Sequence, residues 1–268
     1  MGTFSRWTQL RAAATLAAQI QEHKLLQRVA SRSQSTIPVL IISFNNGRYV
    51  SNMVRQLNSK KIFPLVIDNA STDVSTRLCL KSLESDHSAV VAYSKKNLGH
   101  LVGFLNPVYQ LLPEIFAYTD PDLQFHEALP EDFLEQLATV AENYKIYKAG
   151  MALDLKCGTL KQLRSNTIRK YPFEFKKIHS IEDWEQQFWM RPLKHPDLKI
   201  YAASVDTTFA VYRKAHFNGE FAQGVRVAGV FSAVHLPWFS DLDITSVDEQ
   251  DQYRKSNRFS AWNRKKTI

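Results

Sequence analysis

Asp120-Pro121-Asp122 places two carboxylates one residue apart. Carboxylates are hard oxygen ligands. At the end of an extended segment, this spacing lets both bracket one divalent cation, Mg2+ or Mn2+, which can also bridge to phosphate oxygens. Turns produce the same spacing, so the pair gains meaning from its company. Three more small polar clusters occur, Ser43-Phe44-Asn45-Asn46-Gly47-Arg48, Asp68-Asn69-Ala70-Ser71-Thr72-Asp73 and Asn97-Leu98-Gly99-His100, each following an apolar run. One such cluster is an ordinary turn or helix cap. Four in series are hard to explain that way. The acids and amides of the cluster Asp68–Asp73 can accept hydrogen bonds from a base or a ribose. The candidate binding set is therefore Ser43, Asn45, Asp68, Asn69, Asp73, Asn97, Gly99, His100 and Asp120, with Asp120 and Asp122 as candidate metal ligands.

The elements that must hold these clusters follow from hydrophobic period. Val39-Leu40-Ile41-Ile42, Leu65-Val66-Ile67, Ala89-Val90-Val91-Ala92 and Ile115-Phe116-Ala117-Tyr118 are short apolar runs suited to strands buried on both faces. Helical stretches are expected between them over about 49–58, 75–83 and 101–111. Strand and helix alternate with short connections, the pattern of a parallel sheet wound with helices, and such sheets bind ligands at the carboxyl ends of their strands. A further helix is expected from about Pro130 to Lys145, then a strand over 149–153. Beyond Asp154 the pattern loosens to a Trp-rich helix near 182–190 and an extended pair around 201–212. Ahead of the sheet, residues 7–30 are rich in Ala and Leu, with Leu10, Ala13, Ala17 and Ile20 at helical steps. That apolar face could dock on the body, a second copy or lipid.

In order and spacing, Ile37-Pro38-Val39-Leu40-Ile41-Ile42-Ser43-Phe44-Asn45-Asn46, then Val66-Ile67-Asp68-Asn69-Ala70-Ser71-Thr72-Asp73, Asn97-x-Gly99 and Asp120-Pro121-Asp122 resemble the opening of a family 2 glycosyltransferase of GT-A fold. The resemblance covers roughly residues 36–155. It implies an α/β fold, a GT-A-like single domain with a mostly parallel Rossmann-like sheet flanked by helices and an α+β acceptor half. It implies a nucleoside-diphosphate sugar donor, a UDP-sugar favoured, contacted near Ser43, Asn45, Asp68 and Asn69. Asp120 and Asp122 would hold Mn2+ or Mg2+ against the diphosphate, where negative charge develops on the leaving group. The expected division is an N-terminal helix (1–35), a donor half (36–155), an acceptor half (156–250) and a basic tail (251–268).

The resemblance also implies a late histidine as a further metal ligand, for which His235 in His235-Leu236-Pro237-Trp238 is the best placed, although a histidine packed beside Trp238 is the structural alternative. An inverting transfer to a glycan or glycolipid hydroxyl needs a general base. The acidic pair usual in the family is not cleanly present, so Asp206 is the first candidate, with Asp241 and Asp243 next. Glu182-Asp183 comes early and suits helix capping. Trp184, Trp189 and Trp238 could stack on a sugar or serve as core. His87, His126, His179, His195 and His216 read as surface or packing residues.

Composition narrows the alternatives. No G-x-G-x-x-G follows the first strand and no G-x-x-x-x-G-K-[ST] occurs, which disfavours dinucleotide cofactors and P-loop triphosphates. Cys79 and Cys157 are too few for a disulfide framework and are expected to be buried thiols. No apolar run is long enough to span a bilayer, and no secretory signal is apparent, so a reducing, cytoplasmic setting is expected. The net charge of +8 is uneven: residues 1–32 carry +4, residues 254–268 carry +6, and the intervening body about −2. Basic ends on a near-neutral body fit an anionic membrane surface at least as well as nucleic acid. Three hypotheses follow: the glycosyltransferase, a nucleotidyltransferase on a similar sheet, and a nucleic-acid or membrane-binding module using the basic ends. Association of copies through the N-terminal helix is a further possibility.

Overall fold

The computed structural model describes residues 3–162, 167–170, 175–178 and 180–256; most of the basic tail (257–268) and His179 lie outside them. Two helices, α1 (Thr3–Glu22) and α2 (Leu25–Ala30), precede β1 (Val39–Ser43), α3 (Gly47–Ser59), β2 (Leu65–Asp68), α4 (Val74–Ser85), β3 (Val90–Tyr93), α5 (Asn106–Leu111), β4 (Ile115–Thr119), β5 (Leu123–Phe125), α6 (Phe133–Asn143) and β6 (Lys148–Met151). Then come the hairpin β7 (Thr167–Lys170) and β8 (Phe175–Ile178), α7 (Ile181–Gln186), β9 (Pro192–Leu193), β10 (Ile200–Ala202), β11 (Ala210–Arg213), β12 (Val225–Val227), β13 (Ala233–His235) and α8 (Val247–Ser256).

Among the described residues the central sheet has nine strands in the order β3-β2-β1-β4-β11-β6-β12-β10-β9. β3, β2, β1, β4, β6 and β12 run one way, with β11 and β10 against them. The mostly parallel α/β sheet is thus as the strand runs imply. Every residue of β1 and β2 is buried, because alternate side chains feed two separate cores. Val39, Ile41 and Val66 face α3, α4 and α6, while Leu40, Ile42, Leu65 and Ile67 face α1, α2 and α5. β5 and β13 form a small antiparallel pair beside the main sheet.

Several expectations change. The single helix over 7–30 breaks at Lys24, whose φ of 50° ends one helix and starts the next. Its apolar face docks on the body: Ala13, Leu16, Ala17, Ile20, Leu25 and Val29 are buried, whereas Leu10 is 43 % exposed. α1 also covers the sheet edge, since Gln19 Oε1 accepts from Tyr93 N of β3 at 2.7 Å. The helix expected over 101–111 is a short 3-10 turn followed by α5, which restarts around Pro107. Cys79 is half-buried with Sγ donating to Gly47 O, but Cys157 is exposed on a bend outside both cores. Among the described residues no helix is long and apolar enough to cross a membrane.

The extended pair expected around 201–212 is two strands that never touch. β10 pairs with β12 and β9, while β11 pairs with β4 and β6. They run in the same direction, so they cannot close as a hairpin. The segment 203–209 instead crosses one face of the sheet. Ala203 N and Val205 N donate to Gly224 O and Ala222 O, and by Thr207 the chain has reached Asp120, whose N donates to Thr207 O at 3.0 Å. Glycines permit the crossing. A Cβ on Gly150 would stand 2.7 Å from Val205 Cγ1, and one on Gly224 would stand 3.0 Å from Val205 Cγ2.

Candidate active site

Register brings the polar clusters to one edge. Ser43 pairs with Asp68 and Asp68 with Tyr93, while Ile41 pairs with Thr119, so β1, β2, β3 and β4 end together. The chain after β1 turns back on Asn45, held at φ 50°. Its side-chain Oδ1 accepts from Thr72 N and Asp73 N at 2.8 and 3.0 Å, and its backbone N donates to Ser71 Oγ. Ser43 Oγ donates to Asn46 Oδ1 at 3.2 Å. Asp68 is buried and accepts from Ser71 N and, at 2.5 Å, Ser71 Oγ. Burial raises its pKa, and the bonds from Ser71 oppose that rise.

Asn69 joins the third cluster to the second. Its amide donates to Asn97 Oδ1 and Gly99 O at 3.0 and 2.8 Å and accepts from Leu98 N at 2.7 Å. Gly99 stands at φ 85°, a conformation that L side chains rarely adopt. His100 is exposed and enters the network through its carbonyl, which accepts from Tyr118 OH at 2.6 Å. Asp73 caps α4, its Oδ2 accepting from Thr76 N at 2.7 Å. The expected binding residues are therefore assembled, with Asn45, Asn69 and Asp73 bonded chiefly to one another's loops.

The acidic centre lies beside them, at the end of β4. Thr207 Oγ1 donates to Asp120 Oδ2. Burial, then the charges of Asp122 and Asp206, drive the Asp120 carboxyl well above the usual carboxylate range. Asp122 Oδ2 lies 3.4 Å from His235 Nε2, and Asp122 O accepts from Leu236 N. That contact follows from the β13–β5 pairing, which sets His235 opposite Leu123. His235 also packs on Trp238, with ring centroids 4.6 Å apart. His235 thus lies both against Asp122 and against Trp238, the neighbour expected of a structural histidine. Asp206 is exposed at the end of the crossing segment.

Asp241 and Asp243 are otherwise occupied. Asp241 is bonded by Thr159 N at 2.9 Å. Asp243 is nearly inaccessible, with Oδ1 bonded by Tyr49 OH at 2.5 Å and by Thr245, and Oδ2 by Lys161 Nζ at 2.7 Å. Burial would raise its pKa, but these bonds leave it lowered. Two carboxylates expected as alternative bases thus fasten the C-terminal segment to 159–161 and α3, which a carboxylate near a helix and a lysine does naturally. Glu182-Asp183 behaves as a cap: Ser180 and Asp183 form a capping box at the start of α7.

Sequence reasoning missed three charged side chains beneath the centre. Lys148 is fully buried, its Nζ 3.8 Å from the Phe221 ring centroid and 3.5 Å from Asp206 O. Burial lowers it to about 7, with Asp206 raising it and Arg226 lowering it. Arg226 lies between buried Val225 and Val227 and pairs with Glu185 at 2.5 Å, both side chains buried. The available signal was a charge inside an apolar strand, which ordinarily reads as a solvent-facing position.

The residues present fit a hard cation in one mode. Among the described residues no three His, Cys, Asp or Glu side chains form a ready ligand set. Yet Asp122 Oδ1 and His235 Nδ1 are buried without a hydrogen-bond partner among the described residues. Mg2+ is commonly held by one or two carboxylates, with substrate phosphates and waters completing its shell. Asp122 and Asp120 could supply that contribution.

No family model and no curated protein matches this chain. Among solved structures it is similar to the mannosyltransferase PcManGT from Pyrobaculum calidifontis, solved in complex with GDP-Man and Mn2+, at 12 % identity and a TM-score of 0.40, covering 76 % of this chain and 56 % of that one. It is also similar to S. aureus TarS 1-349, at 14 % identity and a TM-score of 0.38, covering 67 % of this chain and 47 % of that one. A longer TarS structure gives 14 % identity and a TM-score of 0.39 over 67 % of this chain and 28 % of that one. The chain therefore spans about half the length of these structures or less.

Proposed function

We propose that this chain is a glycosyltransferase of GT-A type, transferring a sugar from a nucleoside-diphosphate donor, a UDP-sugar favoured, to a hydroxyl of a glycan or glycolipid. One observation carries the reading: Asp120, Asp122, Asp206 and His235, far apart in sequence, meet at the carboxyl ends of the strands, beside the network of Asp68, Asn69 and Asn97. That combination suits a ligand with a nucleoside at one end and a diphosphate at the other. The resemblance of the strand-end motifs to family 2 enzymes agrees with it.

In this reading Asp68 and the loops tied by Asn45 and Asn69 receive the nucleoside. Asp120 and Asp122 hold Mn2+ or Mg2+, which when bound offsets the charge developing on the leaving diphosphate. Thr207 orients Asp120 through its hydroxyl, and His235 orients Asp122. Asp206, exposed beside them, accepts the proton of the acceptor hydroxyl, which requires its carboxylate form and an approach from the face opposite the diphosphate if the transfer inverts. The test is product identity. With an active donor and acceptor, release of nucleoside diphosphate is expected; release of pyrophosphate from a nucleoside triphosphate would assign a nucleotidyltransferase instead. Removing residues 257–268 should spare turnover on a soluble acceptor if the basic tail only docks the enzyme.

A further inference from the structure

A buried ion pair lies against the segment that carries Asp206 and Thr207. Arg226 projects from β12 beneath the crossing segment, and its Nε donates to Ser204 O at 2.9 Å. Its Nη1 pairs with Glu185 Oε1 at 2.5 Å, and its guanidinium lies 3.8 Å over the Phe188 ring. The pair is enclosed: the side chains of Arg226 and Glu185 are 5 % and 0 % exposed. Ser204 begins the stretch that carries Asp206 and Thr207, and Thr207 bonds Asp120 through both its hydroxyl and its carbonyl.

We infer that Arg226 and Glu185 are positioning residues of the active centre: Glu185 holds the guanidinium in place, and through Ser204 the pair fixes the segment that carries Asp206 and Thr207. The inference rests on the proposed glycosyltransferase reading. Physical economy supports it. A buried ion pair gives little net stability, because desolvation of both charges offsets their attraction, and hydrophobic pairs of similar volume often replace one without loss. A stability role alone therefore does not explain two charges at this position. What the pair supplies that apolar side chains cannot is a directed N–H donor to one backbone carbonyl.

Substitution of both partners separates the two roles. Glu185→Leu combined with Arg226→Met should keep the thermal midpoint near that of the wild type, as an apolar replacement of a buried pair does. Amide exchange in 203–209 should become about tenfold faster as the segment loses its anchor. The affinity for whichever of UDP and GDP the wild type binds with Mn2+, measured by calorimetry, should fall about 10- to 100-fold, as when outer partners of metal ligands are removed. Arg226→Lys keeps the buried charge but loses the Nε donor, so it should show the faster exchange with a smaller loss of affinity. It decides alone if the double variant does not fold. Unchanged exchange and unchanged affinity in the variants overturn the inference. A wild-type protein that binds neither UDP nor GDP with Mn2+ overturns the functional reading and the inference with it. Wild-type binding with an unaffected double variant overturns the inference alone.

Discussion

In the proposed mechanism Asp206 takes a proton while Asp241 and Asp243 only fasten loops, and substitution should separate them. Asp206→Asn preserves shape but cannot take a proton, so turnover should fall by about 10²- to 10⁴-fold, the range typical of a lost general base, while nucleotide affinity changes little. Asp241→Asn and Asp243→Asn should leave turnover far closer to wild type, with Asp243→Asn lowering the thermal midpoint because Tyr49 and Lys161 lose a charged acceptor. Comparing single-turnover rates with denaturation midpoints for the three variants checks this. The sequence alone ranked these aspartates in that order without a physical means of distinguishing them; the structure supplies one, because Asp241 and Asp243 are held by Thr159 N and by Tyr49 and Lys161, whereas Asp206 is exposed next to the Thr207 that bonds Asp120. Lys148 offers a second test. Its folded-state pKa of about 7 lies below its ordinary value of 10.5, with burial the main cause. Between those values the folded protein binds fewer protons than the unfolded chain, so stability should rise with pH from 7 towards 10. In Lys148→Met that component of the rise disappears, which parallel urea titrations at pH 7 and pH 9.5 would reveal. An equal pH response in both proteins would refute it.

Elements were legible where one periodicity acts alone. β1, β2, β3 and β4 are apolar on both faces and were readable as buried strands, and the polar residues at their ends were readable as a shared edge. The crossing segment 203–209 was not, because extended residues near 201–212 look alike whether they pair with each other or with distant strands. What decides is the pair of glycines that lets Val205 lie flat on the sheet. Gly150→Ala should therefore press on Val205 and on Phe209 O, costing about 1–3 kcal/mol in a denaturant titration. Because the same segment carries Asp206 and Thr207, turnover should drop by more than the stability loss explains. A variant with full activity at a lowered midpoint would show that the crossing and the site are independent.

For the molecule as a whole, the N-terminal helix is part of the body. Leu16 is about 1 % exposed in the core shared by β1, β2, β3 and α5. Leu16→Ala should cost about 2–5 kcal/mol, as for other buried leucines. The helical period of 7–30 was readable from sequence, but its docking partner was not, since an apolar stripe is the same against a sheet, a second copy or lipid. Charge distribution likewise located the basic ends without identifying what they meet.

The claim on which the account depends is that the strand-end carboxylates serve a nucleoside diphosphate together with a divalent cation. The most direct measurement is thermal unfolding of the wild type and of Asp122→Asn with UDP and GDP, with and without Mn2+. Ligand at about 100 times its dissociation constant stabilises the native state by roughly 2.7 kcal/mol, which for a chain of this size raises the midpoint by about 5–10 °C. The wild type should show that rise with at least one nucleotide, only when Mn2+ is present, and Asp122→Asn should lose it. No shift with either nucleotide, or an equal shift in the variant, would contradict the claim.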